Sequence, residues 1–281
     1  MAWAWCGLEW SGGRRVSLCR VNEFRHVTVR RHGFVAELVL DRPEAHNALS
    51  TAMAQEIADA CAELTADGAV RAVVVSSASE KAFCVGADLK ERNSFSDEQL
   101  RAQRPVFRAA FNGVLGLPVP TVAAVHGFAL GGGFEFALSC DLIVCDETAV
   151  VGLPEVTVGV IPGGGGTQLL LRRVNSARAS DLVFTGRQVA VEEAVALGLA
   201  DRRVPAGGDR EEALELASTI AANSPVGVRN AKRALREGWG LELSAGLEIE
   251  DVGWRATAFS GDRREGVAAF NEKRRPDWPG Q

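Results

Sequence analysis

The sequence predicts a mixed α/β fold that ends in a wholly helical region. Two observations predict it. Up to about residue 205, apolar runs typical of buried strands, such as Thr121–Val125, alternate with helical patterns. After Gly207-Gly208 the pattern is helical and contains no convincing strand. We therefore divide the chain into an α/β core over residues 21–205 and a helical region over residues 206–281.

Residues 1–20 differ from the rest of the chain. They hold three of the six tryptophans, and basic residues follow the apolar stretch, which is the reverse of the order in a secretory signal. We interpret this segment as a disordered extension or as translation from upstream of the true start. A weak organelle presequence is the alternative, and we place the start of the fold near Val21.

The elements of the core follow from local signals in the sequence. Ser50 is placed to cap a helix that closes at Asp67-Gly68, and Ser96 with Gln99 fits a capping box. In order, we predict strands over Val27–Arg30 and Phe34–Leu40, a helix from Ser50 to about Ala66, a strand over Ala72–Val75, a helix opening at Ser96, a strand over Thr121–Val125, a helix beginning within Gly127–Gly133, a strand over Leu142–Cys145 and a helix over Thr167–Arg173.

Apolar periodicity and one capping residue predict the helices of the helical region. Ser260 is placed to cap the last helix. The four predicted helices are Glu211–Ala222, Val226–Glu237, Leu241–Ala258 and Gly266–Glu272.

Composition limits the classes of function. The net charge is −5, which argues against broad binding to nucleic acid, because that binding needs a basic surface. The six cysteines are irregularly spaced and the four histidines show no ligand-like spacing with them, so we expect reduced thiols in a cytoplasmic protein and no metal site. No apolar run reaches the roughly 18 residues that a membrane span requires.

A glycine run followed by an acid is the first candidate site. Gly131, Gly132 and Gly133 let a ligand approach the backbone, and a helix that begins there directs unpaired N–H groups toward it. Glu135 lies three residues after Gly132, so the two share a helix face. Taken alone, Glu135 is explained equally well as a first-turn acid favoured by the helix dipole.

Two further segments carry candidate groups. The turn at Gly86-Ala87-Asp88 can present the N–H of Ala87 outward, although an ordinary strand exit explains it as well. Glu155 stands among apolar neighbours, where partial burial would raise the pKa of its carboxyl group. A solvent-exposed position at the rim of a pocket is the alternative for Glu155.

These segments together resemble the crotonase family, which comprises enoyl-CoA hydratases and isomerases. The resemblance runs from about Val21 to Gly280 and is carried by AFCVGADLKE, PTVAAVHGFALGGGFE and GLPEVTVGVIPGGGGTQ. It implies a spiral of repeated ββα units, followed by a helical region that assembles trimers, often paired as hexamers. It also implies an acyl-CoA substrate, with coenzyme A as part of that substrate and no separate cofactor.

The resemblance assigns roles to individual residues. The N–H groups of Ala87 and Gly132 would form an oxyanion hole for the thioester carbonyl. Glu135 would orient and activate water, and Glu155 would donate a proton to C2 of the acyl group. Because isomerases of this family often keep only one acid, the presence of both favours an enoyl-CoA hydratase of fatty-acid or branched-chain amino-acid breakdown. The alternatives are an isomerase and a non-catalytic RNA-binding or assembly protein.

Other residues match the parts of the family that contact coenzyme A. Ala45, Ala48 and the stretch Ala87-Asp88-Leu89-Lys90 would line its groove, and Phe270 and Lys273 would lie near the acyl-CoA site. The subgroup most resembled is the AU-binding, methylglutaconyl-CoA hydratase-like one. Residues 45–69 contain no lysine or arginine, unlike the lysine-rich helix of its animal members, so we do not extend RNA binding to this chain.

Overall fold

The computed structural model of the chain describes residues 24–281. The predicted extension over residues 1–20, with Cys6 and Cys19, lies outside the described residues. The strands are β1 (Val27–His32), β2 (Val35–Leu40), β3 (Ala72–Ser77), β4 (Ala82–Cys84), β5 (Thr121–Val125), β6 (Phe128–Leu130), β7 (Leu142–Asp146), β8 (Val150–Gly152), β9 (Val189–Ala190) and β10 (Arg202–Val204).

Within residues 24–281, eleven α-helices are interspersed with these strands and follow them. They are α1 (Thr51–Ala66), α2 (Leu89–Asn93), α3 (Asp97–Leu115), α4 (Gly132–Ser139), α5 (Gly166–Arg173), α6 (Ser176–Thr185), α7 (Val191–Leu197), α8 (Asp209–Ala221), α9 (Pro225–Gly238), α10 (Leu243–Ala258) and α11 (Gly261–Glu272).

The strands form two sheets, and successive strands of the chain are added to the two sheets in turn. The six-stranded sheet has the order β1-β2-β3-β5-β7-β10 and the four-stranded sheet the order β4-β6-β8-β9. Only β1 with β2 and β8 with β9 pair antiparallel. Successive strands follow one another in three pairs: β3 and β4, β5 and β6, and β7 and β8. The first strand of each pair lies in the six-stranded sheet and the second in the four-stranded sheet, and a helical segment follows each pair. This spiral of ββα units confirms the predicted α/β fold.

The main core fills the space between the sheets and their helices. Its largest fully buried side chains include Phe83, Phe134 and Phe136. A smaller cluster lies on the other face of the six-stranded sheet, where Val74 and Val122 pack against Ala217 of α8. The central strands are thus buried on both faces, as their continuous apolar runs predicted.

The predicted capping residues are confirmed, whereas the sequence did not reveal the shortest strands or helices α2, α6 and α7. Ser50 Oγ accepts a hydrogen bond from the Met53 N–H, the Ser96–Gln99 capping box is complete, and Ser260 caps α11. Because that cap sets its start, α11 begins at Gly261, five residues before the predicted Gly266. Strands β4, β6, β8, β9 and β10 have two or three residues each, too few for apolar alternation to be recognised.

A buried acid on β2 fixes α8 to the six-stranded sheet. Glu37 is fully buried, and its carboxylate accepts hydrogen bonds from Arg210 Nε at 2.6 Å and Arg210 Nη2 at 2.8 Å. Ser76 Oγ donates a further bond at 2.7 Å, and His32 Nε2 lies 2.9 Å from Oε2. Burial alone would raise the pKa of Glu37, but these bonds outweigh it and hold the pKa at about 2.

We predict that Glu37→Gln lowers the free energy of unfolding at pH 7 by about 2 kcal/mol, since charge-assisted bonds at a buried site are lost. The folded-state pKa lies below the ordinary value of 4.5, so the contribution of the carboxylate is present above that pH and is lost as the pH falls toward 2. Urea unfolding should therefore give a difference between wild type and variant that narrows in acid. The control Glu193→Gln, which removes an exposed ion pair with Arg187, should change stability less. An undiminished difference at low pH would contradict this account.

Candidate active site

One cavity of about 800 Å³ brings the three predicted segments together. Its wall comes from the start of α1, the β4–α2 turn, helix α3, the β6–α4 turn, a 3₁₀ helix (Pro154–Val158) and the glycine-rich loop before α5. The residues of the predicted site that line it are Ala87, Leu89, Gly132, Glu135 and Glu155.

Backbone contacts between glycines position the two predicted N–H donors. A Cβ built at Gly86, where φ is +88°, would lie 3.2 Å from the Gly132 nitrogen and 2.9 Å from the Leu130 carbonyl oxygen. A Cβ at Gly132 would lie 3.1 Å from Leu49 Cδ1. The β4–α2 turn and the start of α4 can therefore approach this closely only because side chains are absent.

Both predicted donors are unpaired within the described part of the chain. The N–H of Leu49 donates to the Gly86 carbonyl at 2.8 Å and that of Asp88 donates to the Leu49 carbonyl at 2.9 Å, but the Ala87 N–H between them has no acceptor there. Gly132 is the first residue of α4, so its N–H has no acceptor within the helix. Two amide donors at neighbouring points of one cavity wall can stabilise a negatively charged oxygen.

The second glycine run, Gly163–Gly166, holds the Glu135 side chain through hydrogen bonds. Its side chain is almost completely buried, with 3% of the residue exposed. Oε1 accepts hydrogen bonds from the N–H groups of Gly164 and Gly166, both at 2.7 Å. Burial raises the pKa of Glu135, and these bonds offset only part of that rise. The run thus surrounds a carboxylate and forms part of the cavity floor.

The carboxyl group of Glu155, in contrast to that of Glu135, accepts no hydrogen bond within the described part of the chain. Both of its carboxylate oxygens are buried, and neither has a hydrogen-bond partner among residues 24–281. A Cβ built at Gly131, where φ is +52°, would lie 3.2 Å from Oε1 of Glu155. Burial raises the pKa of Glu155 to about 7, and the nearby charge of Glu135 contributes to the rise. Near pH 7 a substantial fraction of Glu155 is therefore protonated. Because both carboxylate oxygens are buried, the exposed rim position considered for Glu155 is wrong.

The predicted contacts with coenzyme A are only partly at the cavity. Leu89 lines it, whereas the Asp88 carboxylate accepts hydrogen bonds from the N–H groups of Lys90 and Glu91 and pairs with Arg42 at 2.7 Å. Asp88 thus caps α2, and Lys90 is exposed. A contact of either side chain with coenzyme A remains a prediction.

Four other predicted residues lie outside this cavity wall. Ala45 ends a 3₁₀ helix (Pro43–Ala45), and the Ala48 carbonyl accepts a bond from Arg42 Nη1 at 2.8 Å. Phe270 on α11 is 84% exposed, and Lys273 caps that helix. Roles for these residues in substrate binding also remain predictions.

Helices α2 and α3 supply polar residues that the sequence did not single out. Arg92, Gln103 and Arg104 line the cavity beside Phe107 and Phe111. The spacing of Gln103, Phe107 and Phe111 places them on one face of α3, which is the signal that could have identified Gln103. Phe134 on α4 is buried in the core and is not part of the cavity wall.

Membrane spans and metal sites are the other features to consider in residues 24–281. No helix there is long and apolar enough to cross a membrane. No group of three or more histidine, cysteine or acidic side chains is arranged to hold a metal ion in the same residues.

Known proteins resemble this chain in sequence and in fold. The enoyl-CoA hydratase/isomerase family model matches residues 30–281. Mitochondrial methylglutaconyl-CoA hydratase of Rattus norvegicus is 38% identical over 261 residues, which are 92% of this chain and 82% of that protein. Enoyl-CoA hydratase domain-containing protein 2 of Mus musculus is 40% identical over 251 residues, 88% of this chain and 85% of that protein. The crystal structure of an enoyl-CoA hydratase from Bacillus anthracis has a TM-score of 0.89 at 39% identity and covers 92% of this chain and 100% of that one.

We predict that a glutamate side chain of the folded protein titrates near pH 7. In protein labelled with ¹³C at glutamate Cδ, one carboxyl resonance should shift with a midpoint of about 7, and Glu155→Gln should remove it. The control Glu147→Gln, at an exposed position, should leave it in place. If every glutamate titrated close to its ordinary value of 4.5, the buried environment described for Glu155 would be incorrect.

Proposed function

Because the chain belongs to the enoyl-CoA hydratase/isomerase family of enzymes, we propose that it adds water reversibly across the 2,3 double bond of a 2-enoyl-CoA, which gives a 3-hydroxyacyl-CoA. The observation that carries the proposal is the convergence of two unpaired N–H groups and two buried carboxyl groups on one cavity.

The two N–H groups act on the thioester carbonyl. When water attacks C3, the electron pair of the double bond moves toward the thioester, and negative charge develops on its oxygen. Donors from Ala87 and Gly132 would stabilise that enolate oxygen. One such preorganised donor is typically worth about 3–4 kcal/mol in the transition state.

The two carboxyl groups divide the transfer of protons. Oε1 of Glu135 is occupied by glycine N–H groups, which leaves Oε2 to accept a proton from the attacking water. Glu155, with a pKa of about 7, holds a proton that it can donate to C2. After the addition, the proton on Glu135 returns to Glu155, so the cycle consumes one water and regenerates both groups.

The proposal also covers the oligomeric state of the protein, its cellular compartment and the acyl group of its substrate. We propose a homotrimer or a homohexamer, because large apolar side chains on and beside α9–α11 are exposed in one protomer; they include Leu235, Trp239, Leu243, Trp254, Phe259 and Phe270. The four cysteines in the described part of the chain are free and buried, which suits a reducing compartment such as the cytoplasm. A methylglutaconyl-CoA hydratase activity is the specific variant that the rat relative suggests.

We predict that Glu135→Gln and Glu155→Gln each slow hydration of crotonyl-CoA by about 10²–10⁴-fold, since each removes one proton-transfer group. In Glu135→Gln the oxygen of the new side-chain amide can still accept from the N–H groups of Gly164 and Gly166, so the shape of the floor should persist. Loss of the enoyl-thioester absorbance measures the rate, and Glu147→Gln serves as the control. In wild type the rate should fall as the pH rises through about 7, because Glu155 then loses the proton it must donate.

Near-native hydration by Glu135→Gln would refute the mechanism with two carboxyl groups. Conversion of a 3-enoyl-CoA to a 2-enoyl-CoA without hydration of crotonyl-CoA would support the isomerase alternative instead.

A proline at position 132 tests the oxyanion hole directly. Gly132 is the first residue of α4, a position that tolerates proline, and proline lacks the N–H. Gly132→Ala is the matched control, because it adds a Cβ beside Leu49 but keeps the N–H. We expect Gly132→Pro to reduce kcat about 10²–10³-fold below Gly132→Ala. Equal rates for the two variants, with both folded by circular dichroism, would exclude Gly132 as a donor.

A further inference from the structure

Two guanidinium groups lie on the wall of the cavity that holds the paired carboxyl groups. Arg92 comes from α2 and Arg104 from the second turn of α3, and both line the cavity. The roles given above to the N–H groups and the glutamates use neither arginine.

Arg92 is held in place by its neighbours on α3. Its Cζ lies 4.9 Å from the centre of the Phe107 ring, and its Nε donates to Gln103 Oε1 at 3.0 Å. Gln103 is fixed in turn, because its Nε2 donates to Thr51 Oγ1 at 2.8 Å and to Glu91 Oε2 at 3.1 Å. The terminal nitrogens of Arg92 have no acceptor among the residues that the structure describes.

Arg104 forms no hydrogen bond or ion pair with any residue in the range 24–281. Its Nη1 lies 3.1 Å from the point where a Cβ of Gly163 would stand, so the guanidinium lies directly over the glycine-rich loop. Burial lowers the pKa of Arg92, the nearby charges of Glu91 and Glu135 raise it, and the positive charge of Arg104 lowers it. Two guanidinium groups therefore face one space, and the terminal nitrogens of both have no acceptor among residues 24–281.

We propose, on the basis of the proposed function, that Arg92 and Arg104 recognise an anionic group at the far end of the acyl chain. The preferred substrate is then a 2-enoyl-CoA whose acyl group ends in a carboxylate. A guanidinium offers parallel N–H donors that match a carboxylate. Phe107 and Phe111 supply apolar surface beside them for the hydrocarbon part.

The phosphates of coenzyme A are the other source of anionic oxygens. The position of Arg104 over Gly163, next to the loop that binds Glu135, favours the acyl end. Of the residues predicted to contact coenzyme A, Ala87 and Leu89 are part of the cavity wall. Ala45, Ala48, Asp88 and Lys90 are not.

Equilibrium binding of saturated thioesters tests the proposal without any turnover. Titration calorimetry would compare glutaryl-CoA with pentanoyl-CoA and adipyl-CoA with hexanoyl-CoA, which differ only in the terminal group. We expect wild type to prefer at least one carboxylated ligand over its neutral counterpart, and Arg104→Gln to reduce that preference at least about tenfold, the loss expected for one charge-assisted bond. The control Arg101→Gln, on the same helix but outside the cavity wall, should leave the preference unchanged.

The remaining outcomes separate the alternatives. If Arg104→Gln weakens carboxylated and neutral ligands equally, Arg104 contacts coenzyme A and the proposal is overturned. If wild type shows no preference for either carboxylated ligand, the proposal is also overturned. If the preference and its loss are observed but no enoyl thioester is hydrated, recognition of the anion stands and the proposed reaction fails.

Discussion

The geometry of the site depends on one steric constraint, the backbone-to-backbone contact between β4 and the segment that links β5, β6 and α4. A Cβ at Gly133 would lie 1.9 Å from the Cys84 carbonyl oxygen, and one at Gly127 would lie 2.1 Å from that of Lys81. No side chain can occupy either position without moving the backbone. Because these contacts fix β4 against α4, the N–H groups of Ala87 and Gly132 are oriented by the sheet and by a helix start rather than by mobile side chains. Such donors need little reorganisation when charge develops beside them.

The same fold gives two identical side chains different properties. Glu135 is buried deeply but receives two N–H donors, whereas Glu155 has none for either oxygen. Desolvation disfavours the charged form of both, but the N–H groups of the glycine-rich loop offset part of the cost only at Glu135. The glycines matter here as well: Gly166 leaves room for Glu135, and Gly131 leaves room for Glu155. Two carboxyl groups in one cavity can therefore hold different numbers of protons at the same pH.

Much of this could be predicted from the sequence, because the signals are local. Ser50, Ser96 and Ser260 cap their helices, the long buried strands read as apolar runs, and the family indicated by three glycine-rich segments is confirmed. Strands of two or three residues carry no periodic signal, so the second sheet was not predicted from local patterns. Arg92 and Arg104 were missed for a different reason. Whether an arginine faces solvent or a cavity depends on how α2 and α3 dock on the core, and local sequence does not encode that packing.

Point mutations affect the main-chain N–H groups of the cavity and the side chains of its wall differently. A mutation that exchanges one side chain for another leaves an amide N–H in place unless it introduces proline or displaces the chain, so the charge-stabilising part of the cavity resists most point mutations. Helix α3 contributes its wall through side chains, and each of these can be replaced by a single codon change. Under the proposed function, a lineage that keeps the glycine contacts can thus acquire new acyl preferences through substitutions on α3, while the proposed chemistry at the thioester is preserved.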